Sequence, residues 1–285
     1  MKISFKIYHY IANILSHKLF CGKYFIIPAY YDKISQQNIW GETMYKNYIF
    51  DLYGTLIDIN TNEWDMDLWD KMAIFYGYSG AVYTGEELNS AYERLVQQEK
   101  EQVKKRRKSY SVIDIKIDKV FKKLYEEKGV NAPKSLVTTT AAVFRCYSTK
   151  YIRLYDGVSD LLDTLKAKGK KIYLLSNAQR SFTMNEIKML DLEKYFDGIL
   201  ISSDEECSKP DENYFRILFE RYALEKSQSV MIGNDYISDI GGAADFGIDS
   251  LYIHQSISPE IEGELRSNYK VMDGDVFKIK ELIVK

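Results

Sequence analysis

Five short apolar segments alternate along the chain with longer helix-like segments, and polar residues follow four of the five. The apolar segments are residues 48–50, 171–175, 198–202, 230–233 and 250–253. They are rich in Ile, Leu, Val and Tyr, which is typical of short buried strands. Helical patterns separate the last four segments, and such an alternation predicts a parallel sheet covered by helices on both faces. We therefore expect an α/β fold.

A long stretch between the first two apolar segments has a different character. Residues 64–153 carry helical periodicity and many charges, for example in residues 86–95, and show no convincing strand. Pro133 is expected at a helix start. We predict an all-helical domain at 61–153, inserted into a core domain formed by residues 44–60 and 154–285.

Residues 1–43 are rich in Ile, Tyr and Phe, but lysines and histidines interrupt the apolar residues. Neither a membrane span nor a secretory leader fits this pattern. Met44 lies just before the first strand and would make a natural start. We predict an N-terminal extension upstream of that start, with an extra structural piece or an amphipathic surface helix as alternatives.

Net charge and cysteine spacing argue against several classes of binding partner and metal site. The formal net charge is -2, which gives no reason to expect nucleic acid or an anionic membrane as a partner. The three cysteines form no CxxC pair, so we expect a reducing, cytoplasmic location without disulfides or structural zinc. The oligomeric state is left open.

The polar residues behind the strands form a candidate site. They are Asp51, then Ser176 and Asn177, then Lys209, and finally Asn234, Asp235 and Asp239. In parallel sheets, ligands bind at the carboxyl ends of the strands. A carboxylate, a hydroxyl, a cation and further acidic groups at one edge suit attack on an anionic substrate, assisted by a divalent ion.

The order and flanks of these residues resemble the four motifs of the haloacid dehalogenase (HAD) superfamily. Residues 50–56 read FDLYGTL, residues 174–177 read LLSN, Lys209 precedes Pro210, and residues 232–243 read IGNDYISDIGGA. The resemblance covers about residues 46–255. It implies a Rossmann-like core with a helical cap between motifs one and two, where the long helical stretch lies.

The resemblance also implies roles for individual residues. Asp51 would be the nucleophile that forms a covalent aspartyl intermediate. The implied catalytic set is Asp51, Tyr53, Ser176 and Lys209, and the implied substrate-phosphate set is Leu52, Gly54, Thr55 and Asn177. The implied cofactor is Mg²⁺, held by Asp51, the backbone carbonyl of Tyr53 and Asp235, with Asn234 and Asp239 as further candidates.

Tyr53 departs from the phosphatase pattern, which has a second Asp at this position as general acid and base. Tyr is what haloacid dehalogenases carry there, and they need no metal. Motif four favours a phosphatase, because Asp239 fits its pattern and Asp235 offers a carboxylate to Mg²⁺. Dehalogenases also use a cap arginine, for which Arg94 is the first candidate and lies too far along the chain.

We therefore predict a Mg²⁺-dependent phosphatase acting on a small phosphomonoester. The alternatives are a metal-independent 2-haloacid dehalogenase and a weakly active member with a binding or regulatory role. A basic run at residues 104–108, KKRRK, lies in the predicted cap. It is either a solvated helix end or a contact for a second phosphate or an acidic substrate tail.

Overall fold

The sheet has the predicted parallel form. The computed structural model describes residues 45–284, so the predicted extension and Met44 lie outside the described residues. Within this range the strands are β1 (Asn47–Phe50), β2 (Ile57–Thr61), β3 (Thr149–Leu154), β4 (Lys171–Ser176), β5 (Gly198–Ile201), β6 (Ser229–Gly233), β7 (Asp249–Ile253) and β8 (Tyr269–Val271). Six of them form one sheet in the order β5-β4-β1-β6-β7-β8. All of its pairings are parallel.

Helices cover both faces of this sheet and fill the insertion. The described α-helices are α1 (Met66–Tyr78), α2 (Gly85–Arg106), α3 (Ile117–Glu126), α4 (Lys134–Ser148), α5 (Val158–Ala167), α6 (Arg180–Met189), α7 (Ser202–Glu205), α8 (Glu212–Tyr222), α9 (Gly242–Phe246) and α10 (Phe277–Ile283). A π-helical segment, Tyr236–Gly241, leads into α9. The strand–helix alternation predicted for residues 157–253 is confirmed.

Strand β1 shows why the sheet must be covered on both sides. Successive side chains of a strand point to opposite faces. Tyr48 and Phe50 join the hydrophobic cluster of α5 and α10, whereas Ile49 joins the cluster of α8 and α9. All three side chains are buried. β1 is therefore a central strand, and the residue that follows it lies in the middle of the sheet edge.

Helices α1–α4 pack around a hydrophobic cluster of their own. Trp69, Phe121 and Phe144 are among its buried aromatic members, and Phe182 of α6 joins them from the core side. Helix α2 begins with a capping box, in which Thr84 and Glu87 each accept a hydrogen bond from the other's backbone N–H. Pro133 directly precedes α4, as predicted.

Three strands, β2, β3 and β8, were not anticipated. β3 begins at Thr149 inside the stretch in which no strand was expected, and it pairs with β2 in a separate antiparallel ribbon. Its side chains are exposed or half-buried, so it lacks the apolar signal of a core strand. β8 has only three residues and lies at the sheet edge, where little burial is required. The predicted domain boundaries at 61 and 153 fall within this ribbon and remain a prediction.

Candidate active site

The topology brings the predicted site residues to one edge of the sheet. β1 lies between β4 and β6, so Asp51 at the end of β1 has Ser176 on one side and Asn234 on the other. The backbone N–H of Asp51 donates to the carbonyl of Ile232 at 2.9 Å, which extends the hydrogen bonding between β1 and β6 as far as Asp51. The Asp51 side chain is mostly buried, with 7% exposed.

Lys209 links two carboxylates in this cluster. Its Nζ lies 2.6 Å from Oδ1 of Asp51 and 2.6 Å from Oδ1 of Asp239. Burial opposes the charged amine, but the two carboxylates together raise the pKa of Lys209 above its ordinary value. The lysine is therefore a buried ammonium at neutral pH. Burial raises the pKa of Asp239, and the ammonium opposes that rise.

Asn177 holds the backbone that carries Lys209. Its Nδ2 donates to the carbonyl of Lys209 at 3.0 Å, and its Oδ1 accepts from the N–H of Lys209 at 2.8 Å. Both polar atoms of the amide are thus engaged by the chain itself. Ser176 next to it has a buried hydroxyl with no hydrogen-bond partner, which leaves that hydroxyl able to serve a ligand.

The turn after Asp51 requires a glycine. Gly54 adopts a left-handed φ of +81°, and a Cβ at this position would lie 2.3 Å from Nδ2 of Asn234. Thr55 Oγ1 lies 3.4 Å from Oδ2 of Asp51 and 3.3 Å from Oδ1 of Asn234. Leu52 is fully buried beneath the turn. This arrangement gathers Asp51, Thr55 and Asn234 into one group of oxygen atoms.

Asn234 and Asp235 have different surroundings. Asn234 faces the nucleophile turn, whereas Oδ1 of Asp235 accepts from the N–H groups of Ile237 at 2.8 Å and Ser238 at 3.0 Å. Asp235 thus caps the π-helical segment. Across residues 45–284, the structure contains no group of three or more His, Cys, Asp or Glu side chains suited to a metal ion.

The hydroxyl of Tyr53 is engaged in hydrogen bonds within the protein and is poorly suited to act as a base. Its hydroxyl donates to Glu186 and lies 3.0 Å from Thr183 Oγ1. Burial raises the pKa of Tyr53 strongly, and the Glu186 carboxylate raises it further. Arg145 of α4 lies over the ring, 5.6 Å from its centroid, and its Nε is 2.6 Å from Glu186 Oε1.

A cavity of about 610 Å³ opens beside this site, between the core and helices α1–α4. Its aromatic lining residues are Tyr53, Trp64, Trp69, Tyr92 and Phe182. Its charged lining residues are Glu63, Glu93, Lys100, Asp114 and Arg145. Asn177 lines it as well, so the cavity extends from the catalytic cluster and has room for a small organic substrate.

Sequence reasoning missed several residues of this environment. Arg94 was the first candidate for a cap arginine, but it pairs with Glu127 at 2.8 Å and does not line the cavity. Arg145 reaches Tyr53 instead. Glu186 and Asp114 were also missed. In the sequence these three residues are single charged positions outside the four motifs, and such positions usually have structural roles.

The basic run at residues 104–108 ends α2 and is partly used within the chain. Arg106 NH2 lies 2.5 Å from Glu206 Oε1, and Arg107 Nε lies 3.0 Å from Glu206 Oε2. Arg106 also contacts Glu99 at 3.3 Å. Two of the five basic side chains therefore join the insertion to the loop that precedes Lys209.

A parallel sheet with an Asp and a buried Lys together at its carboxyl edge, and with a helical insertion, is typical of one class of hydrolase. Residues 45–247 match the family model of the haloacid dehalogenase-like hydrolases, and the chain belongs to this family. It is therefore a hydrolase whose core is a Rossmann-like parallel sheet and whose insertion is a helical cap.

Relatives of known name show how far the similarity reaches. The chain is 22% identical over 183 residues to a glyceraldehyde 3-phosphate phosphatase from Methanothermobacter thermautotrophicus, which covers 58% of this chain and 80% of the relative. It is 24% identical over 143 residues to a phosphoserine phosphatase from Thermus thermophilus. That match covers 50% of this chain and spans only about half of the relative's length, 56%.

Solved structures share the fold at low sequence identity. A 2-haloacid dehalogenase from Pseudomonas syringae superimposes with a TM-score of 0.56 at 18% identity, covering 80% of this chain and 94% of that one. This similarity shows the fold alone. Separately, none of the helices within residues 45–284 is long and apolar enough to cross a membrane.

Proposed function

We propose that this hydrolase is a phosphatase that cleaves a small phosphomonoester through an aspartyl-phosphate formed on Asp51. The observation that carries the proposal is the buried Lys209 ammonium, 2.6 Å from both Asp51 and Asp239. A fixed cation beside the nucleophile would stabilise the charge of a transferring phosphoryl group. The phosphatase names of the sequence relatives support this choice.

The remaining site residues then take supporting roles. The Ser176 hydroxyl, buried without a partner, would donate to a phosphate oxygen. The backbone N–H groups of the turn at Leu52 and Tyr53 would do the same, because the N–H of Gly54 already donates to the carbonyl of Ile57. Asn177 would act through Lys209, whose backbone it holds.

The oxygen atoms at this edge fit Mg²⁺, with fewer charges than a fully acidic site would provide. Asp51 Oδ2, Asn234 Oδ1 and the backbone carbonyl of Tyr53 are hard donors, and Thr55 Oγ1 lies within 3.4 Å of the first two. Mg²⁺ commonly binds through one or two carboxylates together with substrate phosphate and water. Bound here, the ion would neutralise phosphate oxygens and orient the phosphoryl group.

Asn234 is a better candidate ligand than Asp235, which the sequence had favoured. The Asp235 carboxylate accepts two backbone hydrogen bonds in its capping role, whereas Asn234 faces the nucleophile turn. Asp239 is engaged by Lys209, so its role would be to orient that lysine. A cytoplasmic location and a small-molecule partner without nucleic acid or membrane contacts stay part of the proposal.

The test is phosphate release from a panel of phosphomonoesters, with Mg²⁺ or with EDTA, by the wild type and by Asp51→Asn. We expect release that needs both Mg²⁺ and Asp51. Asp67→Asn is the matched control, because it makes the same change at an exposed position on α1, where Asp67 pairs with Lys71. Absence of phosphate release from every ester would refute the proposal.

A haloacid dehalogenase activity is the second candidate, and Tyr53 with Arg145 favours it. The guanidinium of Arg145 lines the cavity beside Tyr53 and could hold a substrate carboxylate. Chloride release from 2-chloropropionate, measured in the same preparations, separates the two activities. Metal-independent chloride release that is lost in Asp51→Asn would replace the phosphatase proposal with this one.

A further inference from the structure

A phosphatase with this site lacks an obvious proton donor for the leaving group. Tyr53 occupies the position of a general acid, but its hydroxyl is hydrogen-bonded to Glu186 and Thr183. An alkoxide leaves slowly unless its oxygen receives a proton in the transition state. The carboxylates that line the cavity are therefore the candidates: Glu63, Glu93 and Asp114.

Asp114 is the cavity carboxylate that is hydrogen-bonded to the segment directly after β4. Its Oδ2 lies 2.5 Å from Ser202 Oγ, which in turn accepts from the backbone N–H of Ala178 at 2.7 Å. Its Oδ1 accepts from Gln179 Nε2 at 3.2 Å. Ala178 and Gln179 directly follow the Ser176–Asn177 pair. By contrast, Glu63 is paired with Arg145, and Glu93 lies exposed on α2.

The loop that carries Asp114 is fixed to the loop that carries Lys209. The N–H of Asp114 donates to the carbonyl of Glu206 at 3.2 Å, and the N–H of Ser208 donates to the carbonyl of Val112 at 3.1 Å. The ion pairs of Arg106 and Arg107 with Glu206 reinforce the same junction. Asp114 therefore belongs to the insertion, but hydrogen bonds to the loop that carries Lys209 hold it in position.

Resting on the proposed phosphatase function, we propose that Asp114 is the catalytic acid that protonates the leaving-group oxygen. As the P–O bond to the leaving group breaks and the P–O bond to Asp51 forms, the proton of the Asp114 carboxyl passes to the departing alkoxide. The Asp114 carboxylate then takes a proton from the water that attacks the aspartyl-phosphate. The P–O bond to Asp51 breaks in this second step, which releases inorganic phosphate and regenerates Asp51 and protonated Asp114.

The surroundings of Asp114 raise its pKa above the ordinary value of an aspartate. Burial raises its pKa, and hydrogen bonds from Ser202, the Ile115 N–H and Gln179 oppose that rise. Lys100 is the nearby cation that also lowers the pKa. Tyr214, whose own pKa is raised by burial and by Asp114, is the facing ionisable group on α8.

The test compares two esters in the wild type and in Asp114→Asn. Nitrophenolate leaves without protonation, whereas the alkoxide of glycerol 3-phosphate needs it. Asp114→Asn should lower kcat/KM for the alkyl ester by about 10²–10⁴-fold and leave that for p-nitrophenyl phosphate within about threefold. Glu126→Gln, which changes an exposed carboxylate of α3 outside the cavity, should leave both unchanged. Retained hydrolysis of the aryl ester shows that the variant is folded.

Equal effects on the two esters, or none on either, overturn the role of Asp114 while the phosphatase function stands. A wild type that releases phosphate from no ester of the panel overturns the proposed function itself. If Asp114→Asn does not fold, Ser202→Ala decides. It removes a hydrogen bond that lowers the pKa of Asp114, so the alkaline limb of the alkyl-ester profile must move to higher pH. An unmoved limb overturns the role.

Discussion

Gly54 carries two constraints at once, its left-handed φ of +81° and the closeness of Asn234. We expect Gly54→Ala to lower kcat/KM by at least about tenfold, because the turn must shift away from Asn234. The backbone strain alone costs about 1–3 kcal/mol. Steady-state kinetics and thermal unfolding measure the two effects.

Gly247 provides the matched control for this substitution. Its φ is +83°, and an added Cβ would meet nothing within 4 Å. Gly247→Ala should therefore lose stability by the strain alone and keep full activity. If both variants lost activity equally, the contact between Gly54 and Asn234 would not matter for catalysis.

Asn234 gives a second prediction, which concerns metal binding. Its Oδ1 belongs to the oxygen group around Thr55 and Asp51. Asn234→Asp adds a negative charge there, and ligand charge strengthens the binding of hard cations. We expect Mg²⁺ to bind roughly tenfold more tightly in this variant, measured by isothermal titration calorimetry. Asp235→Asn should leave the affinity nearly unchanged, and loss of binding there would instead identify Asp235 as the ligand.

Among the elements, the junction between α2 and the loop before Lys209 depends on one carboxylate. Glu206 is mostly buried and paired with Arg106 and Arg107. Hydrogen bonds from Arg106, together with those from Arg107, lower the pKa of Glu206 from 4.5 to about 2. Its contribution to stability is therefore complete above pH of about 4.5, and it is lost as the pH falls toward 2.

We expect Glu206→Gln to reduce the free energy of unfolding at pH 7 by about 1–3 kcal/mol. The difference from the wild type should shrink as the pH falls through this window, as measured by urea unfolding. Glu212→Gln breaks an exposed pair with Arg216 and should cost under about 0.5 kcal/mol. A gap for Glu206→Gln that did not depend on pH would contradict an ionic role.

The elements also show which parts of the fold the sequence reveals. The five core strands could be predicted because each is a largely buried apolar run, and α2 could be predicted from the helical periodicity of residues 86–95. β3 could not be found this way, since its exposed side chains match those of a surface loop or helix. The polar residues Asp51, Ser176 and Asn234 were predictable for a topological reason: the ends of neighbouring parallel strands meet.

For the whole molecule, the contacts that cross between insertion and core are those that sequence spacing cannot supply. Arg145 meets Glu186 41 residues away, and Arg106 meets Glu206 100 residues away. Neither pair shares an element or a periodic pattern. Local rules predict elements and strand ends, but such pairs depend on how two separately packed clusters fit together.

Ligand binding should stabilise the whole chain through the catalytic cluster. Inorganic phosphate at about 100 times its Kd should add about 2.7 kcal/mol to the free energy of unfolding. The corresponding rise in Tm is about 5–10 °C for a chain of this size. Calorimetry with Mg²⁺ measures it, and Lys209→Met should lose most of the shift. An equal shift in both proteins would indicate a different phosphate site, such as the exposed part of the basic run.

The ribbon of β2 and β3 has a consequence for how such chains diversify. The outgoing and returning strands lie side by side, and the N–H of Asn62 donates to the carbonyl of Ser148 at 2.8 Å. The two ends of the insertion therefore lie next to each other, joined by one two-stranded ribbon. Because this ribbon is separate from the six-stranded sheet, the inserted helices could be lengthened, replaced or removed without changing the strand order of that sheet. Substrate specificity could therefore change while the residues at the sheet edge stay in place.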